Sequence, residues 1–316
     1  MKTLASSISA YGSDALAAWR ALPRPERVRL RNFAIWIAVV TVAFAQPLFR
    51  LMVHASEQSL HSHILLVPFV AAYMLFTSGS ALPAAGRGSI AGAVLACGAG
   101  LGALAARIAL DGSITVNDGL TLTTLAYLAM AVAGGFLFVG ARWMAAAAFP
   151  LAFLLFMVPP PDAAVIWVED ALVVASADVS AWMIRATGTP LLRAGTVFTL
   201  PTIVLEVARE CSGIRSTWVL FITSLVASHM FLTSPWRRLV LVAFVIPLGI
   251  LRNGFRILTI ALLCVKVGPH MVDSVIHHRG GPIFFALSLV PLFLLLTWLR
   301  RSERATTRDE AGPVPI

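Results

Sequence analysis

At 316 residues the chain is long enough for two soluble domains, but 59% of it is hydrophobic and only 12% charged, which excludes an ordinary soluble protein. The formal net charge of +9 does not indicate nucleic acid, because the arginines fall in short clusters between apolar runs and form no basic stripe with exposed aromatics. Cys97, Cys211 and Cys264 form no C-x-x-C pair, so neither a zinc ribbon nor a disulfide framework is indicated, and no metal or cofactor is expected.

The chain opens with a basic tail, residues 1–32, carrying Arg20, Arg24, Arg27, Arg29 and Arg31 ahead of a long apolar run with no small-residue cleavage site, which reads as a cytoplasmic tail before a retained first span. A hydrocarbon core about 30 Å thick needs roughly 20 apolar residues of helix. Such runs occur near 33–53, 63–80, 89–108, 119–139, 143–159, 213–233, 237–257 and 281–299. The expected fold is therefore an all-α polytopic membrane protein of about eight spans, with one transmembrane domain over 33–300 and a disordered cytoplasmic tail over 301–316. Arg87, Arg142, Arg237, Arg238 and the Arg300, Arg301, Arg304, Arg308 group all fall in segments that this count places inside. Both termini are thus expected in the cytoplasm.

Between the Pro159-Pro160-Pro161 break and Glu210 the outward segment is too apolar for a free loop. Residues 163–187 mix Val165, Trp167, Leu172, Val179 and Trp182 with Glu169, Asp170, Asp178 and Arg185, a pattern that predicts a helix lying in the interface. After Gly188 and Pro190, the β-branched runs 196–200 and 202–207 flank Pro201 and predict two short strands paired as a hairpin.

Three features then carry chemistry. Glu210-Cys211-Ser212-Gly213-Ile214-Arg215-Ser216 leads into span six from outside, setting Cys211 near a helix start, where backbone N–H groups favour a thiolate. The alternative is a small buried hydrophobe, which is the reading preferred for Cys97 and Cys264. Arg256 lies roughly 27 Å beyond Arg238 at about 1.5 Å per residue, level with Cys211, and Arg252 lies one turn below on the same face. An arginine at mid-membrane costs about 2.5 to 3.5 kcal/mol on insertion scales, so both need a purpose, either functional or as a structural partner of Glu206 or Glu210. The loop before span eight carries Asp273, His277, His278 and Arg279, followed by Gly280 and Gly281, and histidine is the natural proton carrier near neutral pH. Nucleophile, proton carrier and fixed cation are what acyl transfer requires.

The run 210–216, Pro247 ahead of Asn253-x-x-Arg256-Ile257, and a histidine four residues before Gly281 resemble the exosortase/archaeosortase family in order and spacing. The likeness extends from Ser62-His63 through the Phe149-Pro-Leu-x-Phe153 stretch to span eight. It implies a membrane-embedded cysteine protease and transpeptidase that removes C-terminal sorting signals of the PEP-CTERM kind from exported proteins and passes them to another anchor, a lipid or polysaccharide. Matched residue by residue, Cys211 is the family's cysteine, Arg256 its arginine and His277 its histidine. His278, Arg252, Arg215, Glu210 and Asn253 are secondary candidates. With the termini inside, this span count sets the site on the outward side, and the chain is expected in the cytoplasmic (inner) membrane.

Three other classes compete. A transporter would line an anion pathway with Arg215, Arg252 and Arg256 but gives Cys211 no role. A metal-dependent intramembrane enzyme would draw on His61, His63, His270, His277 and His278, yet no H-E-x-x-H helix is present, and Ser212 lacks the G-x-S-x-G pattern of a serine enzyme.

Overall fold

The computed structural model describes residues 20–78, 82–274 and 280–310 and divides the chain into two compact units that meet in sequence at Asp162 and Ala163. In the first, α1 (Arg24–Ala43) and α2 (Ala45–Glu57) meet at a 70° bend around Phe44. Pro47 sits in the first turn of α2 and has no N–H for the Ala43 carbonyl, so the helix cannot continue straight. A 3-10 turn, Ser62–Leu65, leads into α3 (Val67–Thr77), which is apolar but short. The long helices α4 (Ile90–Ala109) and α5 (Val116–Phe138) start on side-chain caps: Ser89 Oγ accepts from the Gly92 N–H at 3.3 Å and Thr115 Oγ1 from the Asp118 N–H at 3.1 Å. Two short helices follow, α6 (Ala141–Ala146) and α7 (Ala148–Phe153).

Small residues let these helices approach closely, as expected where lipid removes the hydrophobic drive between them. The Trp36 ring of α1 lies where a side chain on Gly134 of α5 would stand, and its Nε1 donates to the Met130 carbonyl at 2.8 Å. The outer surface stays apolar: Leu95 and Ile108 of α4 are each 75% exposed, a cost in water that disappears in a bilayer. At the other end of α5 the unit is polar. Asn117 donates to Asp162 Oδ1 at 2.8 Å and to the Pro160 carbonyl at 2.9 Å, Thr121 donates to the Pro159 carbonyl at 2.8 Å, and Asp118 accepts the Asp162 N–H at 2.9 Å. The prolines break the helix and α5 satisfies the groups they leave behind.

The second unit begins with α8 (Asp162–Ala186), a single 25-residue helix over the segment expected to be amphipathic. A three-stranded antiparallel sheet follows, β1 (Leu192–Ala194), β2 (Val197–Thr199) and β3 (Val204–Glu206), ordered β1-β2-β3. The expected hairpin is β2–β3, and β1 extends it by one strand. Phe198, fully buried, pairs with Leu205 on the inner face. There they pack on Val173, Ala177, Ala181 and Ile184 of α8 and on Ile257 and Ala261 of α11 (Val245–Lys266).

Two more helices stand between the sheet and α11 in sequence, α9 (Ile214–Phe231) and α10 (Pro235–Ala243), and α12 (Gly281–Glu310) closes the unit. Leu220, Leu241, Leu248, Leu292 and Leu296 form the shared core of α9 to α12. Glu303 of α12 accepts the N–H groups of Thr233 and Ser234 at the start of α10, the latter at 2.6 Å, and lies 3.7 Å from Arg237.

Among the described residues, five helices are long and apolar enough to cross a membrane, or seven if each of two bent pairs counts as one span. With the short α3, each of the eight predicted runs falls on such an element. The protein is an all-α polytopic membrane protein with one small sheet.

Candidate active site

Cys211 ends a 3-10 turn, Arg209–Cys211, two residues ahead of Gly213, the N-cap of α9. It thus precedes the helix start and does not lie in its first turn. Gly213 has φ +74°, a left-handed conformation that costs any other residue, and a Cβ there would stand 2.9 Å from Arg252 Nη2 and 3.0 Å from Asn253 Oδ1. Both of those side chains come from the middle of α11 and both are buried.

Their hydrogen bonds explain the close approach. Asn253 Nδ2 donates to the Cys211 carbonyl at 2.7 Å, while Arg252 Nη2 donates to the Gly213 carbonyl at 3.1 Å and to Thr217 Oγ1 at 3.2 Å. Arg252, 8% exposed, is therefore anchored to the Cys211–Gly213 turn, not to Glu206 as the sequence allowed. Its buried Nη1 has no hydrogen-bond partner among the described residues. Asn253 and Arg252 together clamp the two carbonyls that bracket Ser212, so α11 sets the position of the cysteine backbone.

One turn above Arg252 on α11, Arg256 joins Cys211, Asn253, Ile257, Ile260, Leu205, Glu206 and Val207 around a recess of about 40 Å³. This brings Cys211 and Arg256, predicted to act together, to the same small cavity, between β3 and α11. The turn before Cys211 is tied to α8 by a two-pronged ion pair, Arg209 Nε to Asp170 Oδ1 at 2.6 Å and Arg209 Nη2 to Asp170 Oδ2 at 3.0 Å. Arg193 of β1 pairs with Asp178 at 2.6 Å and lies over the Phe198 ring. Sequence reading missed both ion pairs and the clamp, because they join residues about 15 to 42 positions apart with no local signature.

Arg215 is exposed in the first turn of α9. His277, His278 and the Glu210 side chain lie outside what is described. Of the other cysteines, Cys97 of α4 lies 3.9 Å from Met130 Sδ of α5 and Cys264 is fully buried in α11, both behaving as packing residues. The histidines of the first unit form a separate polar cluster. The His54 and His61 rings stack at 5.1 Å, His54 Nε2 meets Asn117 Oδ1 at 3.2 Å, and His63 Nδ1 meets the Leu60 carbonyl at 3.0 Å. Burial first, then the neighbouring His54 and His63, push the His61 pKa down to about 4, leaving it neutral at physiological pH. Among the described residues no three His, Cys, Asp or Glu side chains are arranged to hold a metal.

Residues 54–294 match the transmembrane exosortase family (Exosortase_EpsH). The chain belongs to that family, whose members are membrane transpeptidases of protein sorting. No curated protein and no solved structure matches the chain.

Proposed function

We propose that the protein is a cysteine transpeptidase that cleaves C-terminal sorting signals, of the PEP-CTERM kind, from exported proteins at the outer face of the cytoplasmic membrane. The observation that carries this reading is the convergence of Cys211 and Arg256 on one recess, with the backbone of the cysteine held by Asn253. His277 takes the Cys211 thiol proton, the thiolate attacks the scissile carbonyl, Arg256 stabilises the oxyanion, and the C–N bond breaks as His277 returns that proton to the leaving amine. The resulting thioester passes its acyl group to an acceptor nucleophile on a lipid or polysaccharide; His277 takes the acceptor's proton and returns it to the departing Cys211 thiolate, which restores the thiol. Arg252 and Asn253 are positioning residues, acting through the Cys211–Gly213 turn and not on substrate. Both termini are cytoplasmic in this scheme, in keeping with the arginines of residues 20–31 and 300–308.

An anion transporter needs its arginines to face a pathway, whereas Arg252 is spent on the Gly213 carbonyl and Thr217. The test is co-expression with an exported reporter ending in a candidate sorting segment from the same genome. Wild-type protein shortens the reporter, Cys211→Ala abolishes shortening, and Arg256→Ala and His277→Ala reduce it by roughly 100-fold or more. Shortening that persists in Cys211→Ala at equal abundance removes the nucleophile assignment.

A further inference from the structure

The order β1-β2-β3 leaves β3 at the sheet edge, and β3 is also a wall of the recess that holds Cys211. Its register decides which backbone groups face outward. The Leu200 N–H donates to the Ile203 carbonyl at 2.9 Å and the Val207 N–H to the Thr196 carbonyl at 3.0 Å, with Phe198 paired to Leu205 midway. Hydrogen-bonded and non-bonded pairs alternate along an antiparallel ladder. Leu205 therefore spends its N–H and C=O on β2, while Val204 and Glu206 turn theirs away from it and meet no hydrogen-bond partner among the described residues. The side chains of Val204, 62% exposed, and Glu206 stand on the outer face, and Leu205 packs inward on the core of the unit.

Resting on the proposed function, we infer that β3 is the docking edge for the peptide substrate, whose extended segment pairs with Val204 and Glu206 as a fourth strand and so delivers its scissile bond to Cys211. Three observations favour that occupant. Open main-chain donors and acceptors are matched by an extended peptide, whatever its side chains. The edge is continuous with the recess of Cys211 and Arg256, so a strand registered on β3 runs alongside both. Pairing with β3 of a second copy would bring two Glu206 carboxylates onto one face of a shared sheet, which disfavours self-association. Only three residues long, β3 gives register with little affinity, as suits a substrate that must leave.

The experiment is disulfide trapping in the Cys211→Ala background, where the substrate binds without turnover. Val204→Cys is combined with single cysteines scanned along the extended segment of the exported reporter, and a control lacks Val204→Cys. Hydrogen-bonded antiparallel partners have Cα atoms about 5.5 Å apart, within disulfide range. The expected result is cross-linking at alternate reporter positions. Cross-links spaced three or four apart, cross-links only between two copies of the enzyme, or none above the control overturn the inference. In otherwise wild-type protein Val204→Pro, which removes an outward N–H but no bond to β2, lowers processing by roughly tenfold or more at equal abundance; undiminished processing also overturns it. Comparison of wild type with Cys211→Ala in the same cells reads the proposed function separately. Cleavage that depends on Cys211 without alternate cross-links sinks only the docking edge, and cleavage independent of Cys211 sinks the function.

Discussion

Asn253→Ala removes the donor to the Cys211 carbonyl and leaves a partly buried acceptor unmet, a loss of about 1 to 3 kcal/mol. Processing should fall roughly tenfold or more through misplacement of the nucleophile, while Asn253→Gln keeps the amide but moves it by one methylene and should recover little. Steady-state analysis of a purified reaction should show the loss in kcat more than in KM, since Asn253 is assigned no substrate contact. Arg252→Lys keeps the charge but cannot reproduce a planar donor set reaching the Gly213 carbonyl and Thr217 Oγ1, so it should behave more like Arg252→Met than like wild type. Equal processing by Arg252→Lys and wild type would leave the clamp without functional weight. At this scale the sequence was informative about residue types and poor about partners. Cys211 and Arg256 stand out because a cysteine near a helix start and an arginine deep in an apolar helix are each costly or reactive. Asn253 is an ordinary polar residue until the turn before α9 is folded against it.

The turn before α9 depends on a glycine for two reasons at once, the φ of +74° and the space taken by Arg252 and Asn253. Gly213→Ala should cost about 1 kcal/mol from the backbone alone and more from displacing the clamp, read as a lower unfolding temperature of the detergent-solubilised protein together with lost processing. Phe198→Ala empties the sheet's inner face against α8 and α11 and should cost about 3 to 5 kcal/mol by the same measurement. The element boundaries follow from sequence where the physics is local. Apolar runs of spanning length marked the helices, and β-branched residues around Pro201 marked β2 and β3. β1 escaped because Leu192-Arg193-Ala194 has no strand signature of its own and is held by Arg193, which pairs with Asp178 and covers Phe198. The bend between α1 and α2 escaped because one proline in an otherwise continuous apolar run does not reveal its angle.

For the protein as a whole, pH and catalysis supply the tests. His61 is neutral in the fold with its pKa lowered to about 4, against an ordinary value of 6.5, so between these values the unfolded chain binds more protons than the native one. Its contribution to stability is complete above about pH 6.5 and declines as pH falls toward 4. Thermal unfolding in detergent should therefore weaken across that window, and His61→Gln should flatten the decline; an unchanged profile in the variant would mean that other groups set it. This acid sensitivity belongs to the first unit. The central claim, that Cys211 carries the substrate as a thioester, is tested most directly by trapping the intermediate. Membranes holding the wild type and the exported reporter are quenched during turnover, and peptide mass mapping locates the acyl group. The expected result is a reporter fragment on Cys211 that hydroxylamine releases as its hydroxamate and that Cys211→Ala lacks. Reporter cleavage with the acyl group on another residue, or cleavage that continues in Cys211→Ala, would contradict the account.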